Sequence, residues 1–120
     1  MFVSRICTIE NIRDVLNNML VYIRTKTNNE DSIFNCRLIA CELITNVLVH
    51  SKCGANLQVN CYNNKVEIIV ESDIVFCGEN KNNIPDCNSY SGRGLYLVHT
   101  LCDSFLRDGK KAIAILNIAD

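Results

Sequence analysis

Apolar and polar positions along this chain change period several times, and each change marks an element. Residues 2–8, FVSRICT, are apolar and β-branched enough for a short strand. Ile9, Ile12, Val15, Leu16, Met19, Leu20 and Ile23 then recur at helical spacing, with Thr8 placed to cap and Glu10 in the first turn. Asn28 to Asp31 is a polar break. A second helix follows, from Ser32 as its cap to about His50.

After Gly54 the period becomes two. ANLQVNCY and VEIIVES flank Asn63-Asn64, a pair that tolerates positive φ, and read as a hairpin. Residues 77–91, CGENKNNIPDCNSYS, show no apolar period and hold the only proline. They form a long polar loop, of a length that in a compact domain is usually functional or mobile. A third helix runs from near Gly94 to about Cys102, and SFLRD and KAIAILNI make a last hairpin around Asp108-Gly109. This order does not alternate as βαβ units. It predicts an α+β fold, a two-layer sandwich with helices on one face of a mainly antiparallel, mixed sheet. Without repeats, low-complexity tracts or a Pro/Gly linker, residues 1–120 read as one domain.

Composition adds mostly exclusions. The formal net charge of −1 gives no sign of a nucleic-acid or acidic-membrane partner. No apolar run approaches the length needed to cross a bilayer, and the start, MFVSRICTIENIRDV, is broken by charges where a signal core would lie. Eight cysteines, at 7, 36, 41, 53, 61, 77, 87 and 102, include no C-x-x-C pair. With no export signal they read as reduced thiols of a cytoplasmic protein, mostly packed as small hydrophobes. His50 and Cys53 alone do not make a zinc site.

The second helix carries the first candidate chemistry. From Leu38 to His50 its polar side chains are Glu42, Thr45, Asn46 and His50, and Lys and Arg are absent. Each step of four residues advances roughly 40° beyond a full turn, so Glu42, Asn46 and His50 form one slanting stripe with Asn35 nearby. One reading is the wet side of an amphipathic helix, but such a face normally carries long charged side chains. A short-limbed polar stripe beside Ile39, Leu43 and Val49 suits the wall of a cavity better. An Asn carbonyl is a hard, neutral ligand suited to Mg²⁺. A carboxylate one turn earlier suits a general base, and His50 a hydrogen-bonding wall residue.

The second candidate is SGRGLYLVHTLCD, where Gly92 and Gly94 bracket Arg93 just before an apolar helix containing Leu95, Val98 and Cys102. Glycines let a backbone pass close to a ligand, and the first helical amides point outward as anion donors. An ordinary loop-to-helix turn is the alternative.

Together, E-x-x-x-N-x-x-x-H on a helix and G-R-G-L-x-L-V-x-x-L-x-D after a loop resemble the GHKL ATPase superfamily, and within it the bacterial anti-sigma-factor serine kinases. The resemblance spans nearly the whole chain and implies a Bergerat-type ATP-binding fold. It implies Glu42 as the catalytic base, Asn46 as the Mg²⁺ ligand and His50 beside the nucleotide. It makes loop 77–91 a short ATP lid, with Gly92, Arg93, Gly94 and Leu95 holding the triphosphate. ATP and Mg²⁺ are the implied cofactors. The implied partners are an antagonist protein phosphorylated on serine or threonine, a sigma factor, and a second copy in a homodimer, without direct contact to nucleic acid or membrane.

One stretch departs from the family. Where it places an Asp-x-Gly-x-Gly turn whose Asp reads the adenine amino group, this chain has VESDIVFCGEN, with Asp73 and, later, Gly78. Strand alternation from Ile68 and Val70 puts Ser72, not Asp73, at the adenine position. Two readings therefore stand: a kinase, and a catalytically silent partner-binding module of the same fold with weak or no nucleotide binding. A histidine-kinase ATPase domain fits less well, because no dimerisation helix or phosphoacceptor histidine segment precedes these motifs.

Overall fold

The computed structural model describes residues 1–51, 53–73, 98 and 100–118. Its order is β1 (Phe2–Ile6), a 3₁₀ turn (Ile9–Asn11), α1 (Ile12–Arg24), α2 (Glu30–Thr45), a π-helical turn (Asn46–Ser51), β2 (Ala55–Tyr62), β3 (Lys65–Ser72), β4 (Ser104–Asp108) and β5 (Lys111–Asn117). The strands make one open five-stranded sheet in the order β1-β2-β3-β5-β4. All four pairings are antiparallel, so the parallel pair that a mixed sheet requires is absent among the described residues.

Turn chemistry fixes the register of the central hairpin. Asn63 and Asn64 adopt φ of 48° and 60°, the positive values that a two-residue hairpin turn demands. Tyr62 then pairs with Lys65, and the ladder runs to Ala55 opposite Ser72. Gly109, with φ of 60°, makes the corresponding reversal between β4 and β5.

Alternation divides the sheet into two faces. Ile6, Leu57, Val59, Val66, Ile68, Val70, Ala112, Ala114 and Leu116 point to one side and are buried. Ile12, Val15, Leu16, Met19 and Ile23 of α1 and Ile33, Cys36, Ile39, Ala40, Leu43 and Ile44 of α2 complete this core. The small side chains of Ala112 and Ala114 leave room for α2, which packs on β3 and β5. Phe2 stacks on Tyr22, with ring centroids 6.2 Å apart, and ties β1 to α1.

Several sequence expectations shift. The first strand ends at Ile6, and a 3₁₀ turn precedes α1; the Thr8 hydroxyl donates to Asn11 Oδ1 at 2.9 Å instead of capping a backbone amide. The cap of α2 is Asn29, whose Oδ1 accepts the Ser32 N–H at 3.1 Å, so Ser32 lies inside the first turn. The α-helical geometry stops at Thr45 and widens into the π turn through Ser51. Only the end of the third helix falls within the described residues: Val98, Thr100 and Leu101 are helical, and Cys102 N–H donates to Val98 O at 3.0 Å. The expected lid, 77–91, lies outside them.

The expectation about apolar runs is also corrected. Glu30–Val49 is a helical stretch of 20 residues with mean hydropathy 1.5, long and apolar enough by composition to cross a membrane. Its apolarity has a local cause, since Ile33, Cys36, Ile39, Ala40, Leu43, Ile44 and Val47 are the side chains it buries against the sheet and α1.

Cys7, Cys36, Cys41, Cys53, Cys61 and Cys102 are free thiols; Cys77 and Cys87 lie outside the described residues. Burial pushes the Cys36 thiol up to about 12, which keeps it protonated and a poor nucleophile. An alkylating reagent should therefore modify exposed Cys7 early and buried Cys36 last, as peptide mass mapping would show. Denatured protein isolated with its thiols trapped should count close to eight; several stable disulfides would contradict this.

Candidate functional site

The polar stripe survives folding in part. Glu42 and Asn46 stand one α-helical turn apart on α2 and its first following residue, both half-buried. The Asn46 N–H reaches back to the carbonyls of both Glu42 and Leu43, a shared hydrogen bond at the point where the helix loosens. From Asn46 the backbone becomes π-helical through Ser51. Single π turns are rare and occur frequently at functional sites, because the extra residue re-aims side chains that a regular helix would hold in phase. His50 lies inside this turn. Ile39 and Leu43, which flank the stripe, are core residues, while Val49 is 38% exposed.

Among the described residues, neither the Glu42 carboxylate nor the Asn46 carboxamide has a side-chain hydrogen-bond or ion-pair partner. A half-buried polar pair at the apolar end of a helix is costly unless solvent or a ligand satisfies it. The donor chemistry fits a hard cation: a carboxamide oxygen from Asn46, with a carboxylate one turn away. No three His, Cys, Asp or Glu side chains come together among the described residues.

The end of β3 is built differently from the stripe. Ser72 continues the inward alternation of Val66, Ile68 and Val70 and is 2% exposed. Its N–H donates to Lys110 O at 2.8 Å, and its hydroxyl donates to the same carbonyl at 3.4 Å. Asp73 leaves the strand and is held by Arg5 of β1. The guanidinium grips it with two bonds, Nη1 to Oδ1 at 3.0 Å and Nη2 to Oδ2 at 2.7 Å, and also reaches Asn56 Oδ1 at 3.3 Å. These bonds from Arg5 hold the Asp73 carboxyl below the usual carboxylate range. Asp73 N–H adds a bond to Gly54 O at 3.2 Å. A Cβ on Gly54 would fall 2.6 Å from Arg5 Nη2 and 3.0 Å from Asp73 Oδ2, so a side chain there would make the exposed pair shift.

Ser72 is thus the inward residue, as the alternation predicts, and Asp73 is tied to Arg5. Sequence reasoning did not find Arg5. Its only local signal is an arginine at an outward position of a short strand, while its partner lies 68 residues away.

The second motif is described only at its end. Gly78, Gly92, Arg93, Gly94 and Leu95 lie outside the described residues. Val98 is fully buried and belongs to the core. Asp103 works as a structural lock, since its carboxylate accepts the Asn117 N–H at 2.6 Å and its own N–H donates to Ile115 O at 2.8 Å. No model of a known protein family matches the chain, and no curated protein matches it.

Proposed function

We propose that this chain is an ATP- and Mg²⁺-dependent serine/threonine protein kinase of the anti-sigma-factor type, with a Bergerat-type arrangement of its two layers. The observation that carries the reading is Glu42 and Asn46, without side-chain partners among the described residues, at the apolar end of a helix that turns π-helical at Asn46. In this reading Asn46 Oδ1 holds the metal, and Glu42 takes the proton from the attacking hydroxyl of the substrate protein. Mg²⁺, when bound, neutralises charge on the transferred phosphoryl group. Gly92, Arg93, Gly94 and Leu95 take the triphosphate, with His50 and Gly78 beside the nucleotide. The substrate is an antagonist protein, the other partner a sigma factor, and the setting the cytoplasm.

Titration of the protein with ATP, with and without Mg²⁺, tests the common premise. Asn46→Ala should weaken Mg·ATP binding by calorimetry, while the thermal unfolding profile stays close to the parent's. Unchanged Mg·ATP affinity would remove Asn46 from the site.

The end of β3 favours a second reading, a partner-binding module of the same fold that is catalytically silent. An adenine amino group needs a free acceptor. Here the carboxylate of Asp73 is already engaged by Arg5, and the inward position carries the hydroxyl of Ser72. Absence of ATP binding in the parent protein, with or without Mg²⁺, would favour this second reading over the first.

A further inference from the structure

We propose that Cys61 and Cys36 form a peroxide-responsive thiol pair, in which Cys61 is oxidised first and Cys36 closes a disulfide that ties α2 to β2. The placement of the pair follows from the bonds at one end of the molecule. Asn29 N–H, at the start of α2, donates to Thr27 Oγ1 at 3.1 Å, and the Thr27 hydroxyl donates to Ile118 O at 3.5 Å. Ile118 N–H donates to Asn64 O at 2.8 Å. The start of α2 and the turn of the central hairpin therefore lie at the same end. Cys36 is seven positions along α2 from Asn29, a rise of about 10 Å. Cys61 is three positions along β2 from Asn64, also about 10 Å. The two cysteines thus stand at one level, one on the helix above the sheet and one within it.

Their side chains share one interior. Cys61 continues the inward alternation of Ala55, Leu57 and Val59, in register with Val66 and, beyond it, Leu116. It packs half-buried against the core in which Cys36 is fully buried. Burial raises the Cys36 thiol, and the charge of a Cys61 thiolate adds to this, as it does between neighbours. A core cysteine is ordinarily an inert small hydrophobe. Cys61 differs because polar groups attend it. The Tyr22 hydroxyl hydrogen-bonds its thiol, and the Lys26 ammonium, 5.7 Å from the Tyr22 ring centroid, adds positive charge. Burial holds the Cys61 thiol above its ordinary range, and Tyr22 and Lys26 oppose it by favouring the thiolate.

The half-buried sulfur meets the oxidant and the fully buried one does not, which fixes the order of events. The Cys61 thiolate attacks hydrogen peroxide: an S–O bond forms, the O–O bond breaks, and the leaving hydroxide takes up the proton that Cys61 shed. The Cys36 sulfur then attacks the Cys61 sulfur. The S–S bond forms, the S–O bond breaks, and hydroxide leaves with the Cys36 proton as a second water. Two thiols lose two electrons and two protons, and one peroxide becomes two waters. The link fastens to the sheet the helix that carries Glu42. It rests on neither the kinase reading nor the silent one.

Treatment of the full chain with hydrogen peroxide, alkylation of the remaining thiols and peptide mapping by mass test the proposal. Peptides carrying Cys36 and Cys61 should appear joined, and a dithiol reductant should release them. In Cys36→Ala the same treatment should leave Cys61 as a sulfenic acid that a cyclic 1,3-diketone traps. Tyr22→Phe keeps the ring against Phe2 but removes the hydroxyl. It should slow loss of the Cys61 thiol and move the pH profile of that loss upward. An unchanged profile would overturn the role given to Tyr22. A parent whose Cys61 stays a free thiol under peroxide, or joins a cysteine other than Cys36, overturns the pair. So does a parent in which Cys61 oxidises while Cys36 remains free.

Discussion

Glu42→Gln should leave nucleotide affinity close to the parent's and slow phosphoryl transfer by about 10²-fold or more, the ordinary weight of a general base. The amide keeps the size and planarity of the carboxylate but has no basic oxygen to take a proton. In the kinase reading Glu42, half-buried and one helical turn before Asn46, would take the proton of the substrate hydroxyl. Transfer of radiolabel from ATP to an antagonist domain, run on both proteins beside a binding titration, separates chemistry from affinity. A variant that binds and transfers like its parent would exclude Glu42 as the base. A parent that binds ATP yet transfers to no antagonist domain would instead move the protein to the silent reading.

The largest effect on stability is expected in the middle of the sheet. Ile68 lies on β3 between Val59 of β2 and Ala114 of β5 in register, and it is fully buried. Truncation to alanine removes three carbon atoms from a close-packed layer that two flanking strands hold in place. Ile68→Ala should therefore cost about 2–5 kcal/mol, a large share of the roughly 5–15 kcal/mol that holds a domain of this kind folded. Val21→Ala is the matched control, because Val21 is 66% exposed on α1 and its truncation should stay within about 0.5 kcal/mol. Urea denaturation with a constant m-value measures both. Equal losses would mean that the inward and outward faces have been assigned wrongly.

Much of the secondary structure was legible because its causes are local. The two asparagines at 63 and 64 announce a turn with positive φ, and both adopt it. The spacing of Ile12, Val15, Leu16, Met19 and Ile23 marks the face that α1 buries. Alternation through Ile68 and Val70 carries Ser72 inward, as read from the sequence. Errors gathered at element ends, where several residues compete for one role. Asn29 and Ser32 are both competent caps, and the extended backbone of Asn29, at φ −74° and ψ 104°, lets its side chain reach the Ser32 amide.

The candidate site was legible as chemistry and less so as geometry. A helix that is apolar from Leu38 to His50 except for Glu42, Thr45, Asn46 and His50 stands out in the sequence. The π turn that begins at Asn46 does not, because no residue there forces it. Arg5 and Asp73 carry no sequence sign of each other across 68 positions.

The sequence by itself determined where the chain bends, which face of each helix and strand is apolar, and which helix carries the polar stripe. Those properties depend on side chains within a few residues of one another. Tertiary structure decided that β5 enters between β3 and β4, that Arg5 meets Asp73, and that Ile69 and Ile113 stand side by side on the face away from the helices. Each of these depends on which strand edges join. Ladder hydrogen bonds are chemically alike from one strand to the next, so that choice is made by how well the completed layers fill the space between sheet and helices.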